Sequence, residues 1–213
     1  MAEQSLKPII EKLESLFSKF NEKFYAGELQ RPVITVSPDA KRGAYGWCTA
    51  WKAWTDKGPE AVEDVRAVKE DGFYEINICA EYLSRPFGQI AETMLHEMVH
   101  LYNLQNDVQD TSRAGKYHNK KYKAAAEAHG LNVEKDSKYG WCRTSLNDEA
   151  TTFIQAMQDN SFQLYRKQEL KIGKGTKQST RKYICPCCGL IIRATKEVDV
   201  ICAECNEHFV EAE

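Results

Sequence analysis

Two histidines four residues apart with a glutamate beside the first, His96-Glu97-Met98-Val99-His100, can serve one centre only if that stretch is helical. One helical turn then separates the imidazoles on a common face, and both can reach one tetrahedral Zn²⁺. Glu97 lies about 100° around the helix from His96, near enough to contact a water at the metal without ligating it. The flanking sequence agrees: from Gly88 to Asn103 the pattern is helical, with Ile90, Met94, Leu95, Met98, Leu101 and Leu104 forming a broad apolar stripe. Met94, Leu95, Met98 and Val99 can bury one side while the histidines line a cleft. These residue types point to zinc-dependent hydrolysis, with Glu97 as general base toward a water that attacks a carbonyl. A third protein ligand is required. His118, which opens the next helical pattern after a polar loop, is the leading candidate, with His129 or Glu127 as alternatives. For His129 the competing reading is a helix-end histidine that meets the negative end of the helix dipole. His208 lies among the C-terminal cysteines.

The chain has eight cysteines. Its N-terminus, MAEQSLKPIIEKLE, lacks the basic and apolar regions of a signal peptide, and no apolar run approaches the ~20 residues of a membrane span. The compartment expected is therefore the cytoplasm, where cysteines are thiols or metal ligands before they are disulfides. Cys185-Pro186-Cys187-Cys188 and Cys202-Ala203-Glu204-Cys205 form two C-x₂-C knuckles. Together they can supply four thiolates, from Cys185, Cys188, Cys202 and Cys205, to one closed, structural zinc. Cys187 can replace a neighbour only with altered knuckle geometry. Cys48, Cys79 and Cys142 are scattered and read as small buried hydrophobes.

Around these motifs the pattern is that of a globular protein, with 42% hydrophobic and 28% charged residues. Leu6 to Phe24 predicts an amphipathic helix. Arg31–Val36 predicts a strand, Ala44–Trp54 an extended aromatic stretch turning near Thr49 and Ala50, and Phe73–Ile78 a half-buried strand. Asn106–Tyr117 reads as a loop, His118–His129 as a helix capped by Gly130, and Thr151–Leu164 as a further helix. Internal repeats are not apparent. The expected domains are 1–165, a basic linker 166–182, and a zinc ribbon 183–213.

Charge is unevenly distributed. Residues 1–160 carry 20 basic and 24 acidic groups, whereas residues 161–200 carry 9 and 3. A basic neck suits a polyanion such as nucleic acid, or is simply solvated. Trp51 and Trp54 beside Lys52 offer stacking faces next to a cation, as single-stranded nucleic acid requires; packing of these aromatics, Trp47 first, onto the zinc helix is the competing reading. Lys174, Lys177, Arg181, Lys182 and Arg193 are the further phosphate-contact candidates.

HEMVHLYN, GKYHNKKYKAAAEAHGL and KYGWCRTSL together resemble the SprT-like metalloproteases, relatives of the DNA–protein crosslink protease Spartan. His96, Glu97, His100 and His118 match that family's pattern position by position, and the loop between His100 and His118 is longer than in some relatives. The opening helix, the strand ahead of YLSRP and the C-terminal ribbon also resemble bacterial members. The resemblance implies an α+β, zincin-like domain of helices on a small antiparallel sheet, with one catalytic and one structural zinc. It further implies proteolysis of DNA-bound or crosslinked proteins, with single-stranded or damaged DNA beside the cleft. The chain itself is expected to be a monomer, in the cytoplasm or on the nucleoid. The alternative class is a nucleic-acid or transcription-complex binding protein with structural zinc only. Glu97 beside an open metal position favours the enzyme.

Overall fold

The computed structural model describes residues 5–38, 43–57, 71–157, 162, 166 and 180–212. The chain divides into two units, Met1–Gln168 and Glu169–Glu213.

The first unit opens with α1 (Lys7–Tyr25), which buries Ile9, Leu13, Leu16, Phe17, Phe20 and Tyr25 along one face. Ala26, in the left-handed conformation, ends the helix, and the Asn21 amide closes the following turn by bonding the Leu29 backbone at 3.0 and 3.1 Å. Three short strands follow: β1 (Val33–Ser37), β2 (Gly46–Cys48) and β3 (Glu75–Cys79). They pair in the order β1-β3-β2. This sheet is mixed, not purely antiparallel as expected: β1 runs parallel to β3, and β2 runs antiparallel to it. The reason is connectivity, because parallel neighbours need a crossover, and β2 lies within the β1-to-β3 connection yet pairs on the far edge of β3.

The central place of β3 also changes its burial. Its alternation predicts a half-buried strand, yet Ile76, Asn77 and Ile78 are all fully buried. Asn77 is tolerated there because its side-chain oxygen accepts hydrogen bonds from Thr35 and Ser37, each at 2.8 Å, which offsets the cost of burying an amide.

After a 3₁₀ turn at Ala80–Tyr82 comes α2 (Phe87–Gln105). Ile90, Ala91, Met94, Leu95, Met98, Val99 and Leu101 are inaccessible to solvent. The elements that follow are β4 (Thr111–Ser112), β5 (Tyr117–His118), α3 (Lys120–Ala128), β6 (Leu131–Asp136), β7 (Gly140–Leu146) and α4 (Asp148–Gln155). α2 touches α1, β2 and β3 before it and α3, β6, β7 and α4 after it. The second sheet has the order β4-β5-β7-β6. The α+β reading therefore holds, with the zinc-motif helix at the centre of the core.

The second unit has β8 (Arg181–Ile184), β9 (Ile191–Ala194) and β10 (Val210–Ala212), antiparallel in the order β10-β8-β9. Arg181 and Lys182, placed in the linker by sequence, belong to β8. Tyr183 is buried, and its hydroxyl accepts the Val198 N–H at 3.3 Å. Among the described residues no helix is long and apolar enough to cross a membrane.

Candidate metal centres

His96 and His100 project from α2, and His118 meets them from β5, so that one ligand atom from each lies within 4.8 Å of the others. The sequence pattern places His118 at the start of a helix; it is instead the last residue of a two-residue strand. Asn119 separates the two, capping α3 by accepting the N–H groups of Lys121 and Tyr122 at 2.7 and 3.3 Å, a common use of Asn at a helix start. The strand is pinned on both sides: Thr111 of β4 and Gly140 of β7 flank His118. Gly140 has φ +75°, and a Cβ there would stand 2.1 Å from the His118 carbonyl oxygen.

The ring atoms converge closely. His118 Nε2 lies 3.3 Å from His96 Nε2 and 3.1 Å from His100 Nε2. Tetrahedral ligands with Zn–N of about 2.0–2.1 Å stand roughly 3.3–3.4 Å apart, so the donor set fits zinc in chemistry and in spacing. Tyr122, fully buried, packs against all three imidazoles with ring centroids 4.9, 4.7 and 4.6 Å from those of His96, His100 and His118.

Burial, reinforced by the charges of the other two histidines, holds His96 well below the ordinary histidine range. His118 is lowered to about 4, chiefly by burial and then by His100. His100 differs: burial disfavours its charged form, but the hydrogen bond to Asp110 and the charges of Glu97 and Asp110 raise it overall. Its Nδ1 lies 2.7 Å from Asp110 Oδ2, which also accepts the Asn103 amide at 3.0 Å.

Glu97 is only 6% exposed. Burial raises its carboxyl to about 7, against the opposing influence of His100 and of the Cys48 backbone N–H that donates to it. β2 lies so close that a Cβ on Gly46 would be 2.7 Å from the Asn77 carbonyl oxygen, 3.0 Å from Thr93 Cγ2 and 3.5 Å from Glu97 Cγ. The strand and the glutamate share one wall.

The alternative third ligands are engaged elsewhere. His129 Nδ1 donates to the Phe24 carbonyl at 2.7 Å, and its ring stacks on Tyr25 at 4.2 Å. It meets a helix C-terminus, as the dipole reading holds, but that of α1 and not its own. Glu127 pairs with Lys123 at 2.6 Å. His208 pairs with Asp199 at 2.6 Å in the second unit.

Cys185, Cys188, Cys202 and Cys205 gather within 4.8 Å. Cys188 and Cys202 Sγ are 3.8 Å apart, about the S–S edge of a tetrahedron with Zn–S near 2.3 Å. This group could form a zinc ribbon. Its two knuckles repeat one backbone turn. The Cys185 carbonyl accepts the Gly189 N–H at 3.0 Å, and the Cys202 carbonyl accepts the Asn206 N–H at 2.8 Å. Gly189 and Asn206, each directly after the second cysteine of its knuckle, both have positive φ, which Gly and Asn tolerate best. That correspondence selects Cys185 and Cys188 and leaves Cys187 exposed outside the group. Backbone N–H groups of Cys188 and Cys187 help lower the Cys185 thiol to about 7. Cys79 is buried, as read from sequence, whereas Cys48 and Cys142 are half-exposed.

The nucleic-acid candidates are dispersed. Trp51 is 65% exposed. Trp54, also exposed, donates its indole N–H to Glu75 at 2.7 Å, and Lys52 is half-buried. In the second unit Arg181 pairs with Glu211 at 3.1 Å, while Lys182 and Arg193 sit opposite each other on β8 and β9. Lys174 and Lys177 lie outside the described residues. Sequence reasoning missed Asp110, Tyr122, Thr144 and Glu92. The last is legible in hindsight, four residues before His96 on the same helical face.

A model of the SprT-like family matches residues 13–138. Neither a curated protein nor a solved structure matches the chain.

Proposed function

We propose that this chain, which belongs to the SprT-like family, is a zinc-dependent endopeptidase that cleaves DNA-associated proteins. The observation that carries the reading is Glu97: a buried carboxyl raised to about 7 beside three converging imidazoles. A closed, structural metal site has no use for such a group. His96, His100 and His118 would hold the zinc, which when bound supplies a Lewis acid for the scissile carbonyl and lowers the pKa of a water. Glu97 takes a proton from the attacking water and returns it to the departing amine, a role suited by a pKa near working pH. The Cys48 N–H holds its carboxylate in place, and Asp110 orients His100 through Nδ1.

Cys185, Cys188, Cys202 and Cys205 would hold a second, structural zinc. For DNA, support comes from exposed Trp51 and from the basic residues 166–182. The ribbon itself contributes less, since residues 183–213 contain two basic and six acidic side chains. Those two basic side chains, Arg193 and Lys196, with Lys182 just ahead of them, are its candidate phosphate contacts.

The test incubates a DNA-binding protein with wild type and with Glu97→Gln, each with and without single-stranded DNA. Cleavage that DNA stimulates and that Glu97→Gln lacks, with zinc content unchanged, is the expected result. Equal cutting by the variant refutes the mechanism, and cutting indifferent to DNA refutes the substrate class.

A further inference from the structure

The three imidazoles are supported unequally. His100 gives its Nδ1–H directly to a carboxylate, Asp110. His118 Nδ1 is buried with no side-chain partner, and the Tyr139 backbone is the group that supports this ring. His96 is intermediate: its Nδ1 lies 3.3 Å from the Thr144 hydroxyl on β7, and that hydroxyl lies 3.0 Å from Glu92 Oε1. Glu92 and His96 are four residues apart on α2, so strand and helix close a three-membered chain, Glu92–Thr144–His96.

A hydroxyl has one hydrogen to give. With that hydrogen committed to Glu92, Thr144 presents lone pairs to His96, and Nδ1 must then carry the imidazole proton. The free lone pair is thereby confined to Nε2, the atom that faces His118. If the hydroxyl hydrogen instead turned toward His96, Nδ1 would become the acceptor and Nε2 would carry a proton where a metal must bind. Outer partners of this kind set the tautomer and ring orientation of metal-binding histidines.

We infer that Thr144 and Glu92 are positioning residues that act in series, with Glu92 orienting the Thr144 hydroxyl so that His96 offers Nε2 to the metal. The inference rests on the reading of His96 as a metal ligand, and its test separates the two. Zinc affinity is measured by chelator competition and coordination by the visible spectrum of the Co²⁺ form. Metal bound beyond that retained by His118→Ala reports the histidine site alone, because the four thiolates remain intact in that variant.

Thr144→Val keeps the shape and suits a strand; it should weaken zinc binding by roughly 10–100-fold and alter the cobalt spectrum. Thr144→Ser, which keeps the hydroxyl, should restore both. Glu92→Leu should reproduce the Thr144→Val defect although it touches no ligand, whereas Glu92→Gln, whose amide oxygen can still accept, should be the milder change. Thermal melting of the metal-free variants checks folding. Wild-type affinity and spectrum in both Thr144→Val and Glu92→Leu would overturn the relay. Equal loss in Thr144→Ser would also overturn it, by assigning the effect to packing. Undiminished metal in His96→Ala would instead refute the ligand set on which the relay depends.

Discussion

At the residue scale, the site sets buried histidines of opposite tendency against one another. His96 and His118 are pushed below the usual histidine pKa of about 6.5, whereas His100 is raised. A histidine whose folded pKa is depressed contributes stability above its unfolded pKa, and that contribution is lost as pH falls toward the folded value. For His118 the window runs from about 6.5 down to about 4. His100 has the opposite sign: its contribution is present below about 6.5 and is lost as pH rises through its raised value. Over that same interval Glu97, raised to about 7, has the opposite sign and gains stability as pH falls, so the His118 contribution is read as a difference between proteins. On acidification from pH 6.5 to 4 the metal-free wild type should lose more thermal stability than metal-free His118→Asn, as differential scanning calorimetry of the two would show. Midpoints that move in parallel over that interval contradict the assignment.

Among the elements, α2 was legible because its 3.6-residue stripe is strong and its motif demands a helix. β1 and β3 were legible from their apolar runs. The hairpin of β6 and β7 was not, since Leu131–Asp136 and Gly140–Leu146 carry few apolar side chains and face solvent on one side. Its turn was written in Asp136, whose carboxylate accepts the Lys138 and Tyr139 N–H groups at 2.8 and 3.0 Å. The start of α4 was likewise readable from Asn147, which caps it by accepting the Ala150 N–H, although the apolar pattern drew the helix start to Thr151. His118 was found from its neighbours and yet misplaced on a helix, because one residue decides where a strand ends and a cap begins. The β5–β7 contact can be tested directly. Gly140→Ala forces a side chain onto positive φ and against the His118 carbonyl, so it should displace β5 and weaken the histidine metal site. Far-UV circular dichroism should be nearly unchanged while zinc bound at that site drops. Full zinc affinity in this variant would show that β7 does not position His118.

Over the whole molecule, the two units differ in what holds them together. The first has a continuous apolar core from Ile9 to Phe162; the second has only Tyr183, Cys185 and Cys202 as buried hydrophobic residues among those described. A segment so small cannot bury enough surface to fold unaided, and a metal held by the four cysteines would supply the missing stability. Chelation should therefore unfold the second unit while the first stays folded, seen as loss of amide protection confined to residues 180–212 by hydrogen exchange. Joint retention of protection in both units would remove the structural metal from the account. The histidine centre has a similar inequality within itself. Two of its histidines are rooted in the deeply buried α2, whereas the third is held by the backbone pairing of a two-residue strand that follows three successive left-handed residues, Arg113, Ala114 and Gly115. The centre is thus a vice with one fixed jaw and one hinged jaw, and slackening of the fold reaches the hinged side first.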